Sequence, residues 1–185
     1  MADSNMIERI QPLADRAFAT TGLSLSPATA AERVSLRADE ETASAIGVML
    51  GLELPKKPKT STKTGSGDLT ALWLGPDEWL LIAELGTDLA GRLATVENGT
   101  FSAIDVSHRN TAITVSGSRA VDTLNSGCPQ DLALAAFPVG GASRTLLAKS
   151  EIVLLREAED RFRVECWRSF SDYIWKYLVD AAKSA

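Results

Sequence analysis

Apolar residues are densest between Leu69 and Leu85, LTALWLGPDEWLLIAEL, where two hydrophobic runs flank Gly75-Pro76-Asp77-Glu78. Pro76 supplies the fixed φ that the second position of a type I turn requires, and Asp77 can follow it without strain. The stretch predicts a hairpin of Thr70–Leu74 and Trp79–Glu84, with Trp73 near Leu80 and Leu72 near Leu81 across the ladder. Leu72 and Leu74 alternate with Ala71 and Trp73, so both faces are apolar. A strand pair of that kind is covered on both sides. It belongs at the centre, with helices of this chain on one face and more of the chain, or a partner, on the other.

Around the hairpin the periodicity sets out the other elements. Residues 1–30, punctuated by Pro12, Gly22 and Pro27, show little pattern. They read as an N-terminal arm lying across a surface, with Leu23 and Leu25 forming an edge strand at best. Arg33–Arg37 alternates as a strand, and a helix follows from Glu41 to Leu50 with Ala45, Val48, Met49 and Leu52 as its apolar side and Gly51 as its stop. Residues 55–68, with four lysines among Ser, Thr, Gly and Pro, read as a flexible loop that does not pack. Asp88–Val96 predicts a short helix. Strands are expected at Phe101–Val106, Thr111–Val115, Arg144–Ala148, Ile152–Arg156 and Phe162–Cys166, with a helix after Gly117-Ser118. The last helix starts at a capping-box spacing, Ser169 and Asp172, and carries Tyr173, Ile174, Tyr177, Leu178 and Ala181 as one stripe.

Strands arriving in consecutive pairs exclude a βαβ order. The pattern predicts an α+β fold of two similar small halves with antiparallel sheet: residues 31–100 as the first, 101–185 as the second, and the arm before them. No residue-level repeat relates the halves.

Composition narrows the function classes. A chain of 185 residues with 45% hydrophobic and 23% charged residues can bury a real core. A net charge of −5 disfavours nucleic-acid binding. No apolar run has the length of a membrane span, and MADSNMIERI lacks the order of a signal peptide. The two cysteines, Cys128 and Cys166, are therefore expected to be reduced, in a cytoplasmic protein. The lysines at 56, 57, 59 and 63 form the one basic run, read as a solvated loop, or otherwise as attraction for an acidic partner or nucleic acid.

The candidate chemistry is sparse. His108, the single histidine, lies in Asp105-Val106-Ser107-His108-Arg109. A zinc site would need companions that neither cysteine is spaced to supply, and Asp105, Ser107 and Ser116 form no triad pattern around it. A structural or interfacial histidine with a local hydrogen bond is expected, with ligand contact as the alternative. Gly65-Ser66-Gly67 lacks the lysine-hydroxyl ending of a phosphate loop, and no dinucleotide fingerprint follows a strand. Cys128 reads as a small buried hydrophobe rather than a nucleophile. Arg168, between Trp167 and the last helix, has a planar fork that calls for a carboxylate or carbonyl. It could pair internally with Asp172 or Glu165, reach across a subunit boundary, or hold a small anion.

Several spelled segments carry a family resemblance. Leu72-Trp73-Leu74-Gly75-Pro76-Asp77-Glu78-Trp79-Leu80-Leu81, Asp105-Val106-Ser107-His108-Arg109, Gly127-Cys128-Pro129-Gln130-Asp131-Leu132 and Phe137-Pro138-Val139-Gly140 resemble, in this order, segments of the gamma subunit of heterotetrameric sarcosine oxidase. Arg144-Thr145 and Arg168-Ser169-Phe170-Ser171-Asp172-Tyr173-Ile174-Trp175 continue the pattern, and the likeness spans about residues 33–180. It implies a fold similar to the folate-binding domain of the glycine-cleavage T-protein and YgfZ-like proteins. It implies a non-catalytic structural subunit of an enzyme that oxidatively demethylates sarcosine to glycine and passes the one-carbon unit to tetrahydrofolate. FAD, FMN, NAD, zinc and tetrahydrofolate would sit on the alpha, beta and delta subunits, with alpha the main contact, and no cofactor or catalytic residue would belong to this chain. Trp73, Trp79, His108, Arg109, Arg168 and Tyr173 are the positions carried over, as residues that shape the domain or its contact with alpha. The alternatives are the equivalent subunit of N-methylglutamate dehydrogenase and a free-standing YgfZ-like or T-protein-like folate-dependent protein; no pterin-facing carboxylate is identifiable here, and Gly127-Cys128-Pro129 only partly echoes the YgfZ cysteine motif.

Overall fold

The computed structural model describes residues 11–184. In chain order the elements are β1 (Phe18–Thr20), β2 (Leu23–Pro27), β3 (Ala31–Ala38), α1 (Glu40–Leu50), β4 (Ser61–Lys63), β5 (Leu69–Gly75), β6 (Glu78–Glu84), α2 (Leu89–Ala94), β7 (Phe101–Asp105), β8 (Asn110–Ser116), α3 (Ala120–Asn125), β9 (Ala142–Leu147), β10 (Ser150–Ala158), β11 (Arg161–Trp167) and α4 (Ser171–Ser184), with a single 3-10 turn at Arg168–Phe170 leading into α4. They form two antiparallel sheets, ordered β4-β5-β6-β3-β7 and β1-β2-β8-β11-β10-β9. This is the expected pair of α+β lobes.

Alternation along the strands turns the two sheets into four layers. Ala71, Leu81 and Ala83 face α1 and α2, meeting Ile46, Leu50, Leu89 and Leu93. Their neighbours Leu72, Leu80 and Ile82 point the other way and pack on Val106, Ala142 and Leu155 of the second sheet and its approach. The far face of that sheet carries Ile113, Val115, Phe162 and Val164 against Leu124 of α3 and Ile174 and Leu178 of α4. The hairpin is thus covered on both sides by its own chain, as its two apolar faces require.

Its register differs by one residue from the expectation. Gly75 does pair with Glu78 next to the turn, but a bulge between Trp73 and Gly75 shifts the ladder, so Trp73 lies opposite Trp79 and Leu72 opposite Leu80. One extra residue in one strand is what a bulge inserts, and no apolar pattern betrays it when both faces are apolar. Two helices also present different faces from those expected. Val48 is 84% exposed, while Ala43, Ile46, Gly47 and Leu50 are buried. The small residues decide this: a Cβ at Gly47 would come within 2.7 Å of the Leu52 carbonyl oxygen, so the turn after α1 closes on that glycine. In α4 the buried stripe is Ser171, Ile174, Trp175, Leu178 and Ala182, with Tyr173 at 40% exposure. Ser171 Oγ donates to the Arg168 carbonyl at 2.7 Å in place of the Ser169–Asp172 capping box.

Three expectations about organisation are corrected. Leu23 and Leu25 are core residues, and β2 pairs with β8 inside the second sheet, so this part of the arm builds the core instead of lying across it; residues 1–10 lie outside the described residues. Phe101–Asp105 pairs with β3 and belongs to the first sheet, which moves the change of lobe to the turn after it. The lysine-rich stretch packs. Ser61–Lys63 adds an edge strand to β5, Thr62 Oγ1 donates to the Glu53 carbonyl, and Ser61 Oγ donates to the Gly140 carbonyl, both at 2.6 Å. Trp79 Nε1 donates to the Pro55 carbonyl at 2.8 Å, and Lys56 pairs with Glu40 at 2.9 Å. At its tip Asp68 accepts from Ser66 and Thr64, which hold its carboxyl below the usual range.

Charge joins the two sheets. Arg33 of β3 donates through Nε to Glu165 of β11 at 2.6 Å, and Arg163 of the same strand donates to the other carboxylate oxygen at 2.7 Å. Arg33 and Glu165 are 5% and 1% exposed as side chains. On the same seam Arg144 of β9 engages both carboxylate oxygens of Glu78 at the start of β6.

Two measurements check this description. Replacing residues 57–66 by a short Gly-Ser bridge removes the β4 ladder and its two hydroxyl anchors, at about 1 kcal/mol net per hydrogen bond. A loss of about 3 kcal/mol or more in a urea titration is expected; a loss below about 1 kcal/mol would show that the stretch is dispensable. Glu165→Ala leaves two buried or half-buried guanidinium groups unpaired, and about 3–5 kcal/mol is expected to be lost. Arg37→Ala, which breaks only the exposed pair with Asp77, is the control and should cost under about 1 kcal/mol.

Candidate functional site

The segments that first looked like candidate chemistry are joints of the fold. Asp105-Val106-Ser107-His108-Arg109 is the crossover from β7 in one sheet to β8 in the other. Asp105 Oδ1 accepts the Ser107 amide at 2.8 Å, Ser107 Oγ accepts the Arg33 amide at 2.8 Å, and the Val106 carbonyl accepts the amides of both Arg109 and Asn110. His108 stands exposed on this turn, and its ring makes no hydrogen bond to a described residue, contrary to the local bond expected of it. Asp105 and Ser107 are thus engaged with backbone and are not arranged to orient the imidazole.

The turns at Cys128–Leu132 and Phe137–Gly141 are held from β10. Arg156, 3% exposed, donates through Nη1 to the Leu132 carbonyl at 2.9 Å and the Phe137 carbonyl at 2.8 Å. Its guanidinium lies 4.8 Å from the Phe162 ring centre. A buried arginine that spends its donors on carbonyls has no fork left for a ligand. Tyr177 of α4 closes on Gly127: a Cβ there would sit 2.2 Å from Tyr177 Oη and would displace that ring. Cys128 and Cys166 are free and buried. Burial first, and then the Glu165 carboxylate, push the Cys166 thiol up to about 12. Trp79 is buried on Pro55, whereas Trp73 is half-buried and its Nε1 has no partner among the described residues.

No group of three or more His, Cys, Asp or Glu side chains gathers as a metal set among the described residues. A groove of about 620 Å³ beside α1 is lined by Gly47, Leu52, Leu54 and Trp79. Its charged groups are Glu53 and the Glu40–Lys56 pair, which offer no nucleophile with a base beside it.

Aromatic side chains collect at one end of the second sheet. Trp167, Phe170 and Tyr173 are 42%, 43% and 40% exposed. The first two rings are 6.1 Å apart, tilted by 53°. The Arg109 guanidinium sits 5.3 Å from the Trp167 ring centre, and the Arg168 amide donates to the Arg109 carbonyl at 2.7 Å. Large aromatic side chains and an arginine are thus exposed together at this end.

The model of the sarcosine oxidase gamma subunit family matches residues 35–184. The chain belongs to the sarcosine oxidase gamma subunit family. It is 36% identical over 155 residues to sarcosine oxidase subunit gamma of an Arthrobacter species, covering 82% of this chain and 75% of that one. The subunit from Corynebacterium strain P-1 is 34% identical, over 74% of this chain and 68% of the relative. Among solved structures, a chain of the heterotetrameric sarcosine oxidase from Corynebacterium sp. U-96 superposes with a TM-score of 0.81 at 27% identity, covering 88% of this chain and 84% of that chain. The glycine-cleavage aminomethyltransferase T of Bartonella henselae superposes with a TM-score of 0.63 at 13% identity, over 85% of this chain and 45% of that one, which shows the shared fold alone.

Against the gamma-subunit pattern, the structure divides the six positions expected to matter. Trp79 is buried in the first lobe and Trp73 faces it across the ladder. His108, Arg109, Arg168 and Tyr173 are exposed at the β8–β11 end. The two carboxylates considered for Arg168 are held by other cations: Glu165 by Arg33 and Arg163, Asp172 by Arg16 at 2.6 Å and Lys176 at 2.7 Å. Bonds from Lys176 and Arg16 keep the Asp172 carboxyl below the usual range. Sequence reading missed the stacking of Arg109 on Trp167 and the role of Phe170. Trp167 closes β11, Phe170 ends the 3-10 turn and Tyr173 lies in the first turn of α4, so no single strand or helix period joins them in the sequence. It also missed Arg33 as a buried ion-pair partner. Its place in Arg33-Val34-Ser35-Leu36, opposite in phase to two core residues, puts it on the face that meets the other sheet.

Burial and the raised pKa predict an unreactive Cys166. Ellman's reagent at pH 7–8.5 should modify neither cysteine in the folded chain on a timescale of minutes, and both at once in denaturant. Fast labelling of one thiol in the native state would show an accessible thiolate there.

Proposed function

We propose that this chain is a structural, non-catalytic assembly subunit of a heterotetrameric sarcosine oxidase, with the alpha subunit as its main contact and beta and delta completing the complex. The complex oxidatively demethylates sarcosine to glycine with oxygen as acceptor and transfers the one-carbon unit to tetrahydrofolate. FAD, FMN, NAD, zinc and tetrahydrofolate are held on the other subunits. The observation that carries the reading is the match to a chain of a heterotetrameric sarcosine oxidase over 88% of this chain and 84% of that one. The engagement of Asp105, Ser107 and Arg156 with backbone supports a chain whose polar residues build the fold. Two free cysteines fit a cytoplasmic site of action. His108, Arg109, Arg168 and Tyr173 serve assembly in this reading, and Trp79 serves the lobe itself.

Coexpression with the other three subunits tests it. The purified complex should contain this chain in stoichiometric amount and consume oxygen with sarcosine while forming glycine. The chain purified alone should show no flavin absorption, no bound zinc and no turnover. A yellow or active isolated chain would overturn the non-catalytic role. Consumption of N-methylglutamate in place of sarcosine would reassign the substrate of the complex.

A further inference from the structure

We propose that the β8–β11 end, built on Arg109, Trp167, Phe170 and Tyr173, is the docking face for a partner subunit's segment that presents a carboxylate flanked by apolar side chains. This rests on the assembly reading above and names the face and the chemistry of its partner.

The backbone under the face is locked. Trp167 pairs with Asn110 in the β8–β11 ladder, the Arg168 amide donates to the Arg109 carbonyl at 2.7 Å, and Ser171 Oγ closes on the Arg168 carbonyl. Three large aromatics exposed on rigid backbone lose little side-chain freedom when covered, which favours tight association. Trp, Tyr and Arg are the residues in which interface energy concentrates.

Arg109 decides the partner's charge. One face of its guanidinium lies over the Trp167 indole, and Nε donates to Asn110 Oδ1 at 3.2 Å. Its two terminal nitrogens donate to no described residue. A guanidinium stacked on one side, with both terminal nitrogens unbonded to described residues, matches the two oxygens of a carboxylate. The local carboxylates do not satisfy it. Asp172 is bound by Arg16 and Lys176, Glu165 by Arg33 and Arg163, and Asp105 accepts the Ser107 amide. Glu78 is taken by Arg144, and Glu151, which lines the same small concavity as Arg109, makes no ion pair with it. Arg168 and His108 add exposed basic groups to the rim of a chain whose net charge is −5. An acidic partner segment finds its cation at this end in Arg109.

The test uses the coexpressed complex, washed with rising NaCl on an affinity column that holds another subunit, and reads the salt at which half of this chain is released. Arg109→Glu should lower that salt severalfold, and Arg109→Lys should fall between. Tyr173→Ala should weaken retention at every salt, by about tenfold in affinity or more. The isolated variants should melt within about 2 °C of the parent, as surface substitutions do. Unchanged release of both Arg109→Glu and Tyr173→Ala from a complex that the parent chain forms would overturn the assignment of this face. So would a dimer of the isolated chain that Tyr173→Ala dissolves, which would give the face to a second copy. Saturable quenching of tryptophan fluorescence by glutamate or phosphate, lost in Arg109→Glu, would give it to a small anion. Failure of the parent chain to join any partner would instead defeat the assembly reading on which the proposal rests.

Discussion

The two sheets meet through a small apolar seam, and one buried carboxylate sets how they meet. Glu165 receives Arg33 from the first sheet and Arg163 from its own strand, at 2.6 and 2.7 Å. Apolar contact between Leu72, Leu80 and Leu155 is non-directional and would tolerate sliding by a residue. A buried ion pair does not tolerate it, because displacement strands a charge away from water. The network therefore specifies the packing of the lobes more than it adds to their stability. Arg144 and Glu78 repeat the device nearer the edge.

From this seam the other fixed points follow. The crossover at Asp105–Arg109 carries the chain between sheets, and its Ser107 hydroxyl accepts the amide of the same Arg33 that binds Glu165. Backbone and ion pair thus hold each other in place. On the far side, Arg156 collects the carbonyls of the two turns that run between α3 and β9. Three of the segments that carried the resemblance are these joints, where a hydroxyl or an arginine holds backbone in place.

The polar inventory has a functional consequence. Ser107, Arg33, Arg156 and Arg163 are turned to the chain's own amides, carbonyls and carboxylates. The exposed specialised surface is aromatic and basic, at the end where β8 enters and β11 leaves. The proposed docking of a protein neighbour there draws on stacked arginine and indole, which give directional and apolar contact at once.

The sequence by itself determined the fold class, the hairpin's place at the centre, most strand positions and the scarcity of chemistry, because alternation, turn residues and missing residue types are local facts. It could not show that Leu23 and Leu25 are core, since the ladder they join lies about ninety residues away at β8. The lysine-rich stretch read as unpacked because its anchors, Gly140 and the β5 edge, are likewise remote or already committed in appearance. The bulge beside Gly75 moved a register that turn chemistry alone set one residue differently. Val48 and Tyr173 looked like core positions and are exposed, because a short helix has several apolar phases and the opposing sheet selects one. Tertiary structure alone decided which charged groups meet: Glu165 with Arg33, Asp172 with Arg16, and Arg109 on Trp167 are pairings between segments far apart in the chain, and long-range contact leaves no period in a sequence.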